Sequence, residues 1–234
     1  MLETNFNPKN LYRIGGISAL LQLVAVLASL VVATAFGPRP TSAAEFFAIQ
    51  QANPLAALLR GDLVLMFLLI GAYLGTFPAL WWNLRCVGPT AATFATLFTG
   101  IGVVLSLSGE STFALLHLGD LYAATASEST RAQFLAAGEA ILAAGWWHST
   151  GSYMTGILLQ GGGVIISLVM LRSRDFSKVT AVSGLLGNAL DLIQHLLHPF
   201  APSIAASIQM VMGVFYLVWF PMLARDFLRM ARKV

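Results

Sequence analysis

Residues 14–36 read IGGISALLQLVAVLASLVVATAF, and no charged residue occurs between Arg13 and Arg39. A helix rises 1.5 Å per residue, so about 20 apolar residues cross a hydrocarbon layer of roughly 30 Å. This stretch is long enough to do so. Ala33-Thr34-Ala35 also gives the A-x-A pattern of a signal-peptidase site after a basic start. Signal peptides, however, carry apolar regions of only about 7–15 residues, and the longer run favours a retained transmembrane helix. The rest of the chain agrees: 57% of its 234 residues are hydrophobic and 10% are charged, with a mean hydropathy of +0.78. A soluble domain needs about a quarter charged residues to solvate its surface, so most of this surface must meet lipid.

Working outward, nearly charge-free stretches recur at Leu63–Trp82, Ala91–Phe113, Tyr153–Leu171, Val179–His198 and Ile204–Leu223. With Ile14–Phe36 they predict six transmembrane helices in a single all-α membrane bundle covering residues 1–234. The basic residues test this count, because cytoplasmic loops retain Lys and Arg. Six spans put Lys9, Arg13, Arg85, Arg172, Arg174, Lys178, Arg225, Arg229, Arg232 and Lys233 on one side. Only Arg39, Arg60 and Arg131 fall on the other, a division of ten against three among all 13 basic residues. The reading is a multi-pass protein of the bacterial inner (cell) membrane, with both termini cytoplasmic. The net charge of +3 is then explained by orientation, and no nucleic-acid partner is implied. The single Cys86 cannot form an intramolecular disulfide.

The cytoplasmic links, Asn83–Thr90 and Arg172–Lys178, are short, so the helices they join are antiparallel neighbours. The outer links are longer. Ser42 and Glu45 form a capping box that opens a short helix bearing Phe46, Phe47 and Ile49, which Asn53-Pro54 ends. Thr130 and Gln133 form a second box ahead of Phe134, Leu135, Ile141 and Leu142 at helical spacing. Both are expected to be amphipathic helices on the outer membrane interface. Trp146 and Trp147 mark headgroup level before the fourth span. Gly71 with Gly75, and Ser183 with Gly187, give small residues four apart for close helix packing, and Gly161–Gly163 thin the fourth span.

The opening Asn10-Leu-Tyr-Arg-Ile-Gly-Gly, the stretch Arg172-Ser-Arg-Asp-Phe-Ser-Lys followed by Gly184 and Gly187, and the closing Trp219-Phe-Pro-Met-Leu together resemble a bacterial membrane-protein family. That family is catalogued as domain of unknown function 4386. The resemblance implies a bundle of about six helices and supplies neither an activity nor a functional residue.

Ionisable groups within a membrane are costly and need a partner or a purpose. From the helix rise, Asp191 lies about 18 Å along the fifth span, His195 about 24 Å and His198 about 28 Å, while Glu110 lies about 28 Å along the third. His117, Asp120 and His148 fall further out. Residues four and seven apart share a helix face, so Asp191, His195 and His198 form one stripe, and Ser106, Glu110 and His117 another. Asp120, in Leu118-Gly119-Asp120, reads as a helix terminus. The candidate ligand-binding residues are therefore Glu110, His117, His148, Asp191, His195 and His198, gathered in the outer half.

Three functions remain open at this point. The first is binding or moving a small or lipidic ligand through an outward-facing polar cavity between the third, fourth and fifth spans. The second is a zinc-dependent intramembrane hydrolase with Glu110, His195 and His198 as ligands, since zinc accepts imidazole and carboxylate donors. The third is an accessory or structural subunit of a larger membrane complex, for which haem would have to be held by His148 and His195. The lipid bilayer is the one partner implied throughout; a homo-oligomer or a larger assembly stays open. No Walker A sequence and no G-x-G-x-x-G following a strand is present, so nothing points to a soluble-nucleotide enzyme.

Overall fold

The computed structural model describes residues 7–61, 63–144 and 149–233. Among them it is entirely helical. The first helix, α1 (Pro8–Ala35), starts six residues before the apolar run because Asn7 accepts a bond from the Lys9 N–H and Pro8 fits the first turn. The chain then turns at Gly37, whose φ of 94° lies in the left-handed region.

Next come α2 (Ala43–Ala52) and α3 (Pro54–Arg60), joined at Asn53, which ends one and caps the other. The second predicted span is two helices, α4 (Leu63–Gly71) and α5 (Tyr73–Leu84), broken at Ala72. A break inside an apolar layer must have its backbone groups satisfied. Here the buried Gln22 of α1 donates to the Leu69 carbonyl at 3.4 Å and lies 3.2 Å from the Thr76 hydroxyl. The Gly71/Gly75 pair is therefore only half a packing motif: Gly75 abuts Ser18 and Ile14 of α1, whereas a Cβ on Gly71, at the break, would meet nothing.

The third predicted span also divides. Its helix α6 (Pro89–Ser108) ends five residues short of Phe113, and α7 (Thr112–Ala124) follows after Gly109-Glu110-Ser111. Twenty residues already give α6 a length of about 30 Å, so α7 extends beyond it. The helix continues through Asp120, which is not a terminus: it accepts a 2.8 Å bond from the Gln50 side chain. Then α8 (Glu128–Ala144) begins two residues before Thr130. The predicted T-x-x-Q box is not the cap; Ser127 takes that role, accepting from the Thr130 N–H at 3.4 Å. The remaining elements are α9 (Thr150–Arg172), α10 (Lys178–Leu197) and α11 (Pro202–Ala231).

Among the described residues, five stretches are long and apolar enough to cross a membrane: Pro8–Ala35, Pro54–Leu84, Pro89–Ala124, Thr150–Arg172 and Pro202–Ala231. The odd member is α10, whose 20 residues include Asn188, Asp191, Gln194 and His195. It is nonetheless built into the bundle, flanked by α9 and α11. The rods close into a ring in the order α1, α4/α5, α6, α9, α10, α11 and back to α1. Around this ring the outward faces are apolar, and α10 follows the rule with Val179, Val182, Leu186 and Ile193 exposed while Thr180, Asn188 and Gln194 are buried. Its low hydropathy thus reflects an inward polar face.

Tyr12 of α1 stacks near Phe227 of α11, and Gly15 and Gly16 abut Phe227 and Leu228. The start of α1 and the end of α11 therefore sit at the same end of the bundle. There Asn83 bonds Asp175, Arg229 donates to the Asp175 carbonyl, and Asp226 receives the Ser177 N–H, so loops separated in sequence form one surface. At the opposite end α2, α3, α7 and α8 form a second apolar cluster around Phe46, Phe47, Ala57 and Leu115. Helices α2 and α8 stand where the sequence placed the two interface helices, but apolar residues of both pack on this cluster: Phe46 and Phe47 are each 1% exposed, and Leu135, Ile141 and Leu142 of α8 lie against it. Gly138 belongs to the same contact, since a Cβ there would press on Ala43 and Phe47. The α2 start is held by the Glu139 carboxylate, which accepts from the Ala43 N–H at 2.8 Å.

Candidate functional site

A cavity of about 200 Å³ lies inside the ring. Its walls come from α4 (Met66, Leu69, Ile70), the end of α6 with Glu110, the first half of α9, the last turns of α10 and the first half of α11. Those segments lie in the half of the bundle away from the chain ends. Asp191, His195 and Gln194 face it from α10, and Thr155 and Gln160 face it from α9.

Asp191 is 5% exposed. One carboxylate oxygen, Oδ1, is 3.0 Å from His195 Nδ1 and accepts a 3.2 Å bond from the Gln194 side-chain amide. The other, Oδ2, accepts a 2.8 Å bond from the Tyr216 hydroxyl of α11. His195 Nδ1 also lies 2.9 Å from the Asp191 carbonyl and 3.0 Å from the Gln194 side-chain nitrogen, and a proton on Nδ1 serves the two Asp191 oxygens. Gln160 Oε1 and Asn188 Oδ1 stand 3.0 and 3.4 Å from the Tyr216 oxygen. A phenol has a single proton, and the carboxylate at the shortest distance takes it. Asn188 is tied in turn to the Gly184 carbonyl at 2.7 Å.

Glycines make this polar centre fit. A Cβ on Gly156 would overlap the His195 ring, and one on Gly163 would overlap the Asn188 amide. Of the glycine run 161–163, Gly163 alone thus admits a polar side chain from α10. A paired substitution checks this. Gly156→Ala should destabilise the protein by about 1–3 kcal/mol through overpacking. At Gly161, where a Cβ meets nothing, the same change should be neutral or stabilising by up to about 1 kcal/mol. Thermal unfolding of the two purified variants in detergent measures the contrast, and equal shifts would contradict it.

No family model, curated protein or solved structure matches this chain. The site must be judged on its own geometry.

Of the six residues selected from sequence, Glu110, Asp191 and His195 line the cavity. His117 does not: it is exposed on α7, because the break at Gly109–Ser111 separates α7 from the register of α6. His198 does not either, since α10 ends at Leu197 and His198 is its C-cap, donating its N–H to the Gln194 carbonyl. His148, like Trp146 and Trp147, lies outside the described residues. Among the described residues no three His, Cys, Asp or Glu side chains could together hold a metal ion, so Glu110, His195 and His198 are not assembled as a zinc site. Glu110 instead accepts from Thr112, from its N–H at 3.0 Å and its hydroxyl at 2.6 Å. It thereby satisfies the start of α7.

Tyr216, Gln160, Gln194 and Asn188 were missed from sequence. The signal for them was weak but present: Asn188 and Gln194 lie three residues either side of Asp191 and share its face.

Proposed function

We propose that this is a six-span protein of the bacterial cell membrane that binds or moves a small or lipidic ligand through an outward-facing cavity. The observation that carries the reading is a hollow of about 200 Å³ inside the bundle with two carboxylates and an imidazole in its wall. Membrane proteins keep ionisable groups in such places at a cost, chiefly where they face a water-filled or ligand-filled space. The resemblance to domain of unknown function 4386 supplies no activity, so this reading stands on the cavity alone.

Six crossings are supported by the shared end of α1 and α11, because five would leave the chain ends on opposite faces. The 20-residue length of α10 and its apolar outer face agree. The basic residues at the end holding the termini favour a cytoplasmic position for it. Cysteine labelling in a Cys86→Ser background tests the topology in intact cells. An impermeant external reagent should modify Gly37→Cys and spare Lys178→Cys and Lys233→Cys; the reverse pattern overturns the orientation.

The cavity itself is tested by filling it. Ser106 lines it from α6, and Ser106→Phe should remove any small-molecule binding that the wild-type protein shows in titration calorimetry while leaving its helical content unchanged. Binding that persists in Ser106→Phe contradicts a site in this cavity.

A further inference from the structure

We infer that the occupant of the cavity is an organic cation, an ammonium group on an apolar body of about ten non-hydrogen atoms. This inference rests on the reading of the cavity as a ligand site. Its first support is charge. Glu110 and Asp191 line the hollow, and no described residue in its lining is Lys or Arg. Even with two protons on the His195 ring, two carboxylates against one imidazolium leave a net negative wall.

The second support is unmet hydrogen bonding. Gln194 is 1% exposed, lines the cavity, and its side-chain oxygen has no partner among the described residues. The Gln194 NH2 group faces Asp191 Oδ1 at 3.2 Å and His195 Nδ1 at 3.0 Å. In this orientation, which gives the carboxylate a donor, the orphan is an acceptor. Thr155, 9% exposed on the facing helix α9, likewise has an unpartnered hydroxyl oxygen in the lining. Glu110 uses Oε1 for both bonds from Thr112, which leaves Oε2 without a hydrogen-bond partner among the described residues.

Buried polar atoms are nearly always paired, so the Gln194 oxygen and the Thr155 hydroxyl call for a partner in the cavity, and the part-buried Glu110 carboxylate adds its charge beside them. An ammonium offers three donors and no acceptor, and it brings the charge that two carboxylates in an apolar surrounding call for. A carboxylate or phosphate ligand would meet acceptors and negative charge together. Met66, Leu69, Ile70, Leu159 and Met212 form the apolar part of the wall and fit an apolar body. A cavity of 150 Å³ holds benzene, which sets the expected size at an aromatic ring with a short chain.

Titration calorimetry of the full-length protein in detergent with phenethylammonium, phenethyl alcohol and phenylacetate tests the assignment. The ammonium should bind at least about tenfold more tightly than the alcohol, the value expected of a charged hydrogen bond, and phenylacetate should not bind. Glu110→Gln should erase most of the preference for the ammonium, since its amide still accepts from Thr112 but carries no charge. Thr155→Val, near in shape, should weaken ammonium binding several-fold and serves as the second variant if Glu110→Gln fails to fold. His117→Gln, outside the cavity, should change nothing. Equal binding of alcohol and ammonium, tighter binding of phenylacetate, or full ammonium preference retained in both cavity variants overturns the cation assignment. If the alcohol or phenylacetate binds at least as tightly as the ammonium and Ser106→Phe abolishes that binding, the ligand site stands without the cation. If none of the three binds at millimolar concentration, or Ser106→Phe leaves binding intact, both fail.

Discussion

Asp226→Ala is expected to destabilise the protein by about 3 kcal/mol, because it removes a buried charge on which three groups depend. Asp226 is fully buried near the end of α11, and its Oδ2 accepts from the Ser177 N–H at 2.9 Å and the Thr180 hydroxyl at 2.6 Å. Arg229 approaches Oδ1 at 3.5 Å. Ser177 is the N-cap of α10, so a carboxylate from the next helix completes the cap, where a negative charge also suits the helix dipole. Alanine would leave the Ser177 N–H and the Thr180 hydroxyl without their acceptor and take the carboxylate away from Arg229. Asn at this position keeps an acceptor and should lose roughly half as much. Thermal or detergent-induced unfolding of the purified variants provides the comparison; an Asp226→Ala protein within about 0.5 kcal/mol of wild type would exclude this role.

Asp191→Ala should cost a similar amount, roughly 2–4 kcal/mol, for a different reason. One carboxylate serves Tyr216, Gln194 and His195, and alanine deprives all three donors at once. Tyr216→Phe removes a single bond from the same centre and should cost only about 1 kcal/mol, since individual hydrogen bonds within membranes contribute little. The ranking matters more than either value. Comparable losses for Tyr216→Phe and Asp191→Ala, read from the same unfolding experiment, would mean that the phenol rather than the carboxylate organises the centre. Asp191→Ala should also abolish ammonium binding, whereas Tyr216→Phe should preserve it.

The helical architecture was legible because apolar length and the placement of Lys and Arg report it directly. The start of α2 at Ser42 was legible from a local cap. What escaped had a common cause: interactions between helices leave little trace within one. The break at Ala72 depends on Gln22 of α1, a neutral residue inside an apolar run. The end of α6 at Ser108 could not be separated from α7 because Phe113, Leu115 and Leu116 continue the apolar pattern. Asp226 stood three residues past the predicted sixth span, among Arg225 and Arg229, where charge looks like a solvated loop. At the candidate site the pairing of Asp191 with His195 followed from their spacing on one helix turn. Tyr216 did not, since an aromatic residue on a spanning helix usually reads as packing, and only the docking of α11 on α10 brings its hydroxyl to the carboxylate.

The most direct test of the cavity as an outward-facing ligand site is the reactivity of Thr155→Cys in a Cys86→Ser background toward a small, impermeant, cationic methanethiosulfonate reagent added outside intact cells. Thr155 lines the cavity from the start of α9. The expected result is modification from outside that is slowed by phenethylammonium and prevented by Ser106→Phe. Modification only after the cells are opened, or modification from outside that neither phenethylammonium nor Ser106→Phe affects, would contradict it.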